Sequence, residues 1–143
     1  LELYFQTGIT KSEWDARSKK LPPKYNAIKL GLDYPDRKTL YDKIDARVDR
    51  MFEEGLADEA KKLYKRELSA TARQAIGYKE LFYCLESGEP PENAKDAVRQ
   101  ATRRYAKRQL TWFRRDPVVI WLDAGAPDLV EQAAGTVEEF LGD

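Results

Sequence analysis

The chain has 143 residues, enough for one domain with its own core or for part of a larger domain, and its 25 basic residues balance 25 acidic ones. A net charge of zero means that no overall field attracts a polyanion, so any affinity for nucleic acid must come from local segregation of charge. The absence of histidine excludes His-based triads and His zinc sites, while the single Cys84 excludes an internal disulfide and fits a reducing, cytoplasmic setting.

Two short helices are predicted first. Leu1–Thr7 has its large apolar side chains on one side of a helix, and Gly8 follows at a stop position. Lys11–Lys20 is polar and compatible with a second helix. The Leu-Pro-Pro run at 21–23 ends this pattern and predicts a domain boundary.

A strand and two helices come next. Tyr25–Leu32 alternates apolar and polar residues, which indicates a strand. Asp33–Arg37 is a turn that can cap the following helix. Lys38–Glu54 has strongly helical apolar spacing, and after Gly55 a further helix is predicted from Leu56 to about Lys65.

The remaining elements are two helices, a strand and a final helix. Thr71–Leu85 has a helical pattern, and a long basic helix is predicted to begin at about Glu92 and to break at Asp116-Pro117. Val118–Leu122, VVIWL, reads as a strand buried on both faces. Leu129–Leu141 has the spacing of a last helix. Two strands cannot form a sheet of normal size, so we expect them to belong to a sheet whose other strands lie outside this chain.

The most distinctive stretch is Ala101–Arg115, ATRRYAKRQLTWFRR, which contains six basic residues, three aromatic residues and no acid. Helical spacing places Ala101, Tyr105 and Trp112 on a packing side and the basic residues on the other. A solvated charged face is the alternative, but such faces usually alternate in sign to form ion pairs one turn apart. The composition favours contact with phosphates.

Three segments together resemble one family. They are Ile44–Met51 followed by Gly55-Leu56, then Gln74–Glu80, and finally Ala101–Arg103 with Ala106–Trp112. In this order and spacing they resemble signature stretches of the tRNA dimethylallyltransferases, also called tRNA isopentenyltransferases.

The resemblance implies an α/β fold: a mostly helical chain with two short strands that forms the C-terminal half of a P-loop-NTPase-like parallel-sheet fold. Residues 1–23 would end a helical insertion domain, and residues 24–143 would form the C-terminal half of the catalytic core. Family members begin with a P-loop and then an aspartate regarded as the general base. This chain contains neither GxxxxGK[ST] nor GxGxxG, so we expect it to be inactive alone.

The implied reaction moves a dimethylallyl group from dimethylallyl diphosphate to the exocyclic amine of the adenosine next to the anticodon. Mg²⁺ would help the diphosphate to leave, with ligands outside this chain. The implied partner is the anticodon stem-loop of a tRNA, and we expect a cytoplasmic monomer without a membrane segment, since no apolar run approaches the roughly 20 residues that a span requires.

Matching residue by residue assigns Arg47 to the diphosphate, which a planar guanidinium can hold through two hydrogen bonds. The alternative is a surface arginine paired with Asp45 or Glu54. The residues that match tRNA contacts come from two segments. For Tyr78 the alternative is a core position at the start of a helix, and for Trp112 the alternative is packing in the core. The matching residues are Gln74, Gly77, Tyr78, Lys79, Arg103, Lys107, Arg108, Gln109, Thr111, Trp112 and Arg114.

Two other functions stay open on the sequence. An adenylate isopentenyltransferase would use a free nucleotide, which does not need so many phosphate partners. A non-catalytic helical module that binds RNA or protein would fold and bind alone.

Overall fold

The computed structural model describes residues 2–20 and 24–142. The predicted boundary at 21–23 and the first residue of the predicted N-terminal helix lie outside these ranges. The described part is mostly helical and contains one two-stranded parallel sheet. In chain order the elements are α1 (Glu2–Thr7), α2 (Lys11–Lys20), β1 (Lys29–Asp33), α3 (Arg37–Glu53), α4 (Leu56–Tyr64), α5 (Ala70–Arg73), α6 (Tyr78–Ser87), a 3₁₀ helix (Pro91–Ala94), α7 (Lys95–Phe113), β2 (Val119–Asp123) and α8 (Leu129–Gly142).

Local signals set the start and end of α3. The Asp36 carboxylate accepts hydrogen bonds from the backbone N–H groups of Lys38 at 3.2 Å and Thr39 at 2.9 Å, which confirms the predicted cap. These bonds, that from Thr39 foremost, hold the pKa of Asp36 below its ordinary value. Gly55, with φ of +99°, turns the chain from α3 into α4.

The prediction of one continuous helix over residues 71–85 is wrong. This segment is split into α5 and α6, and residues 74–77 form a turn between them. The cause is Gly77, whose φ of +99° lies in the left-handed region, which interrupts a right-handed helix. Likewise, the long basic helix begins with a 3₁₀ turn at Pro91–Ala94 and becomes α-helical only at Lys95.

The hydrophobic core lies between the helices and away from the sheet. Side chains of α3, α4, α6, the 3₁₀ helix and the first turn of α7 meet there, and Leu81 and Val98 are fully buried. Cys84 lies in this core, and burial raises the pKa of its thiol, so it is poorly placed to react as a thiolate. Ile44 on α3 is also buried but lies outside this cluster. The buried residues of the cluster are Val48, Leu56, Ala57, Ala60, Leu81, Phe82, Cys84, Ala94 and Val98.

The two strands lie side by side although α3 to α7 separate them in sequence. Lys29 pairs with Val119 and Asp33 with Asp123, so the strands run parallel and end at the same edge. β1 begins four residues later than predicted, and α8 packs against β2. The expected burial of β2 on both faces is not found within the described residues, where Ile120 is 43% exposed.

Gly31 allows this sheet to pack. A Cβ atom at Gly31 would lie 2.8 Å from the Trp121 ring and 2.8 Å from a Val119 methyl group. We expect Gly31→Ala to lower the free energy of unfolding by roughly 1–3 kcal/mol, because a rigid indole must move. Urea-induced unfolding measures this loss.

Gly135→Ala is the matched control for Gly31→Ala. Gly135 lies on α8, and a Cβ atom added there would meet no other atom within 4 Å, so the same substitution should stabilise the helix by roughly 0.5–1 kcal/mol. Equal stabilities of the two variants would show that the strands separate at no cost and would contradict the close approach at Gly31.

The expectation that Tyr105 and Trp112 hold the basic helix onto a core is wrong for the described part of the chain. Tyr105 is 46% exposed and Trp112 is 68% exposed. The reason is that α7 is attached to the core through Val98 in its first turn and through Ala94 just before it, whereas its second half borders an open cleft. Helical spacing predicted that the same side of α7 packs along its whole length, but the second half of α7 has no core to pack against.

Candidate nucleic-acid interface

The first half of α7 is held to α3 by ion pairs. Lys95 and Arg99 both contact Asp49, with the Lys95 ammonium 3.0 Å from the carboxylate. Arg103 contacts both oxygens of Asp45, and its Nε lies 2.9 Å from Oδ1. Because Lys95, Arg99 and Arg103 are each one turn apart, as are the two acids, the pairs form a ladder between antiparallel helices. We call this set of five residues the α3–α7 ladder.

The ladder shifts the pKa values of Asp49 and Arg103. The hydrogen bond from Lys95, and then that from Arg99, hold the pKa of Asp49 below its ordinary value. The hydrogen bond to Asp45 raises the pKa of Arg103. Both shifts favour the charged forms of Asp49 and Arg103.

The second half of α7 carries cations without acidic partners. Among the described residues, no acid lies within ion-pair distance of Arg104, Lys107, Arg108 or Arg115. The Arg108 guanidinium lies over the Tyr105 ring, 5.6 Å from its centroid. We call these four residues the free cations. They present unneutralised charge on one exposed end of the helix.

A hollow of about 280 Å³ lies on this end of α7. Its lining combines three cations, the Thr111 hydroxyl and the Trp112 indole. The Thr111 hydroxyl donates a hydrogen bond to the Lys107 carbonyl at 2.8 Å. Cations beside an exposed aromatic face suit a backbone phosphate next to an unstacked base. The lining residues are Lys107, Arg108, Thr111, Trp112 and Arg115.

Arg114 differs from the free cations. Its guanidinium pairs with Asp33, whose side chain is only 14% exposed at the carboxyl end of β1. Arg114 therefore ties the end of α7 to the sheet. The structure gives an intramolecular partner to this residue, which was predicted to contact tRNA.

A larger cleft, of about 860 Å³, separates the second half of α7 from the sheet. Leu30, Val119 and Trp121 line it from the strands, and Gln109 and Trp112 line it from α7. Gln109 is exposed and so is available to a ligand. Of the predicted tRNA-contacting residues in this segment, Arg103 and Arg114 line neither opening. The two openings are lined by the other five, which are Lys107, Arg108, Gln109, Thr111 and Trp112.

The second predicted tRNA-contacting segment is less available. The Tyr78 ring stacks on Phe82 with centroids 6.0 Å apart, and its hydroxyl donates to Glu59 at 3.0 Å. Burial, and then this hydrogen bond, raise the pKa of Tyr78. These contacts favour the structural alternative for Tyr78.

The neighbours of Tyr78 divide in the same way. Gly77 is buried, and its N–H donates to the Glu80 carboxylate at 2.8 Å. Gln74 and Lys79 are exposed and remain available to a partner. The adjacent Arg73 pairs with Glu86 at 3.2 Å and lies over the Phe82 ring.

Arg47 lies on an exposed part of α3, and among the described residues it has no ion-pair or hydrogen-bond partner. The alternative pairing with Asp45 is not found, because Asp45 is bound to Arg103. Helical spacing puts Arg47 about 200° around α3 from Asp45 and on the side of Leu40, which lines the large cleft. Its guanidinium is therefore unoccupied, and its position on α3 lies on the same side as Leu40, although Arg47 itself does not line the cleft.

Sequence reasoning missed Asp45 and Asp49. Their spacing of one helical turn matches that of Lys95, Arg99 and Arg103, which is a signal that two helices can pair. Nothing in the sequence states that α3 and α7 are neighbours, however, so the spacing alone could not show which acids pair with which cations. The structure shows that the two helices lie side by side.

Neither a metal-binding cluster nor a membrane-spanning helix occurs within residues 2–20 and 24–142. No group of three or more Cys, Asp or Glu side chains comes together there in a way that could hold a metal ion. None of the helices in this part of the chain is both long and apolar enough to cross a membrane.

Comparison with known proteins gives concordant matches. A family model described as IPP transferase matches residues 1–116. The tRNA dimethylallyltransferase of Halalkalibacterium halodurans is 47% identical over 124 residues, which are 86% of this chain and 39% of that protein. That of Halothermothrix orenii is 44% identical over 130 residues, 90% of this chain and again 39% of the relative. The chain thus spans about two fifths of the length of these relatives.

Solved structures show the same similarity. The full-length tRNA isopentenylpyrophosphate transferase from Bacillus halodurans superposes with a TM-score of 0.72 and 38% identity over 99% of this chain and 52% of that one. A tRNA delta(2)-isopentenylpyrophosphate transferase from Staphylococcus epidermidis gives a TM-score of 0.72 and 32% identity over 96% of this chain and 46% of that one. At these identities the similarity covers sequence as well as fold.

Proposed function

Because this chain belongs to the IPP transferase family, we propose that it is part of a tRNA dimethylallyltransferase and supplies contacts to tRNA and to dimethylallyl diphosphate. In the proposed reaction, the exocyclic nitrogen of the adenosine next to the anticodon attacks C1 of the dimethylallyl group. The C–O bond to the diphosphate breaks, and the nitrogen loses a proton. The products are a prenylated tRNA and free diphosphate.

The observation that carries this proposal is the exposed second half of α7. Three of the free cations, Lys107, Arg108 and Arg115, line a hollow beside Trp112, while the cations of the first half are neutralised by α3. Lys107 and Arg108 would hold backbone phosphates, and Trp112 would stack on a base of the anticodon stem-loop. The adenosine must leave its stack to be reached, which requires such a surface beside it.

Arg47 is proposed to bind the diphosphate. A guanidinium donates two parallel hydrogen bonds to phosphate oxygens and stabilises the charge that develops on the leaving group. The freedom of Arg47 from any acid of the described chain supports this role. The described residues offer no cluster that could hold Mg²⁺. The ligands of Mg²⁺, the P-loop and the general base would belong to other parts of the enzyme.

The proposed whole fold is P-loop-NTPase-like, with 1–23 ending an insertion domain and 24–143 completing the catalytic core. Parallel pairing of β1 and β2 across a long helical connection supports it, because parallel sheets of such folds are covered by helices on both faces. The exposed Ile120 and Leu32 side chains, 43% and 57% exposed, are where further elements would pack. We propose a cytoplasmic monomer.

The test measures transfer of labelled dimethylallyl groups to an anticodon stem-loop, by the full-length protein and by this chain alone. We expect transfer by the full-length protein and none by residues 1–143. Transfer to free AMP but not to the stem-loop would instead support an adenylate isopentenyltransferase. Stem-loop binding by the chain alone, with no transfer by the full-length protein, would support a non-catalytic RNA-binding module.

A further inference from the structure

We infer that Asp45 is a positioning residue for tRNA and that Arg103 acts through it as a strut between α3 and α7, without contacting RNA. This inference rests on the proposed function. It assigns a role to an acid on α3 and changes the role expected for an arginine of the basic helix.

The geometry of Arg103 is the first argument. Both oxygens of Asp45 accept from its guanidinium, through Nε and Nη2, which is the two-pronged arrangement that fixes a planar fork in direction as well as distance. The same guanidinium lies over the Tyr41 ring of α3, 5.4 Å from its centroid. Residues of α3 therefore contact both the edge and the face of the Arg103 guanidinium. A phosphate would have to compete with the Asp45 carboxylate for the N–H donors of Arg103.

The position of the ladder along α7 is the second argument. Arg103 is its last rung, and beyond it come Arg104, Lys107 and Arg108 without acidic partners. Burial in the core ends at Val98, more than one turn before Arg103. The Asp45–Arg103 pair is thus the last ion pair to α3 before the exposed part of α7. Together with the Arg114–Asp33 pair at the other end of that part, it sets the direction in which the free cations point.

The sign of the charge makes the inference testable. Removing an acid near a basic surface raises the positive potential, so electrostatics alone predicts that Asp45→Asn strengthens tRNA binding. A positioning role predicts the opposite, because the free cations lose their fixed geometry. We expect Asp45→Asn to lower kcat/KM for tRNA by about tenfold in the full-length enzyme.

Asp42→Asn is the matched control. Asp42 lies on the same helix and the substitution removes the same charge, but its only ion pair among the described residues is with Lys38 on α3 itself, at 2.6 Å, with both side chains well exposed. We expect this variant to keep kcat/KM for tRNA within about twofold of the parent.

A charge exchange separates a strut from an RNA contact. The double variant Asp45→Arg with Arg103→Asp restores the pair with its ends exchanged, so a strut predicts recovery of most of the kcat/KM that either single substitution removes. An RNA contact at Arg103 predicts no recovery, because an aspartate would then face the phosphates. Circular dichroism and urea-induced unfolding of all variants give the coupling between the two residues independently of activity.

The salt dependence of binding decides between these roles even where the exchanged variant does not fold. Arg103→Ala should leave the slope of log affinity against log salt unchanged, because Arg103 neutralises no phosphate; a slope lower in magnitude by about one would overturn the inference. Absence of transfer by the parent enzyme would overturn the proposed function, and the positioning role with it. With an active parent, failure of the exchanged variant to recover while folded, or tighter and faster use of tRNA by Asp45→Asn, would overturn the positioning role alone.

Discussion

Arg47→Ala is expected to lower kcat/KM for dimethylallyl diphosphate by roughly 10²–10³ in the full-length enzyme, because it removes a charged donor that stabilises the leaving diphosphate. The affinity for tRNA should change little. Arg47 has no acidic partner in the described chain, so its loss leaves no buried carboxylate unpaired and should not unfold α3. Steady-state kinetics with dimethylallyl diphosphate varied, together with direct tRNA binding, separates the two effects.

Arg50→Ala serves as the control for Arg47. Arg50 lies on the same helix, is exposed, and loses the same charge on substitution, and it lies about 60° around α3 from Arg47, so this control tests whether the effect is specific to Arg47 or common to neighbouring cations. We expect Arg50→Ala to leave kcat/KM close to that of the parent. The assignment of Arg47 would be overturned by the reverse pattern, in which tRNA binding weakens and the use of dimethylallyl diphosphate does not.

The double substitution Lys107→Ala with Arg108→Ala should weaken tRNA binding by about 10- to 100-fold at low salt and reduce the magnitude of the salt slope by about two, one for each phosphate that is no longer neutralised. Neither residue pairs with an acid in the part of the chain that the structure describes, so the effect should fall on binding and leave unfolding unchanged. Filter binding or fluorescence anisotropy across a salt series measures both quantities.

Lys62→Ala with Lys65→Ala removes the same charge from α4 and its C-terminal cap, on exposed positions outside the basic helix. This control should keep the parent's salt slope. If the two double variants lose equal affinity, the effect comes from net charge, and Lys107 and Arg108 belong to an ordinary solvated face. If only the α7 variant loses affinity, the free cations contact the RNA backbone.

The contrast between Arg103 and Arg108 shows why part of the site was beyond sequence reasoning. The two residues are five positions apart in one basic run and have the same chemistry. One is neutralised by Asp45, 58 residues away along the chain. The other lies over the Tyr105 ring and has no acidic partner among the described residues. The charge run predicted a phosphate-binding helix, and the structure divides that helix between packing and exposure.

The sequence by itself determined the local structure: the Asp36 cap, the turn at Gly55, the helical periodicity of α3 and α7, and the two strands. These features depend on interactions within about one turn or on the backbone preferences of single residues, which are present in any window of the chain. Only the tertiary structure decided which cations remain free, how far the packing side of α7 extends, and that Arg114 belongs to Asp33, 81 residues away. Ion pairs and burial depend on which elements become neighbours in space, and spacing within one helix carries no information about its neighbours.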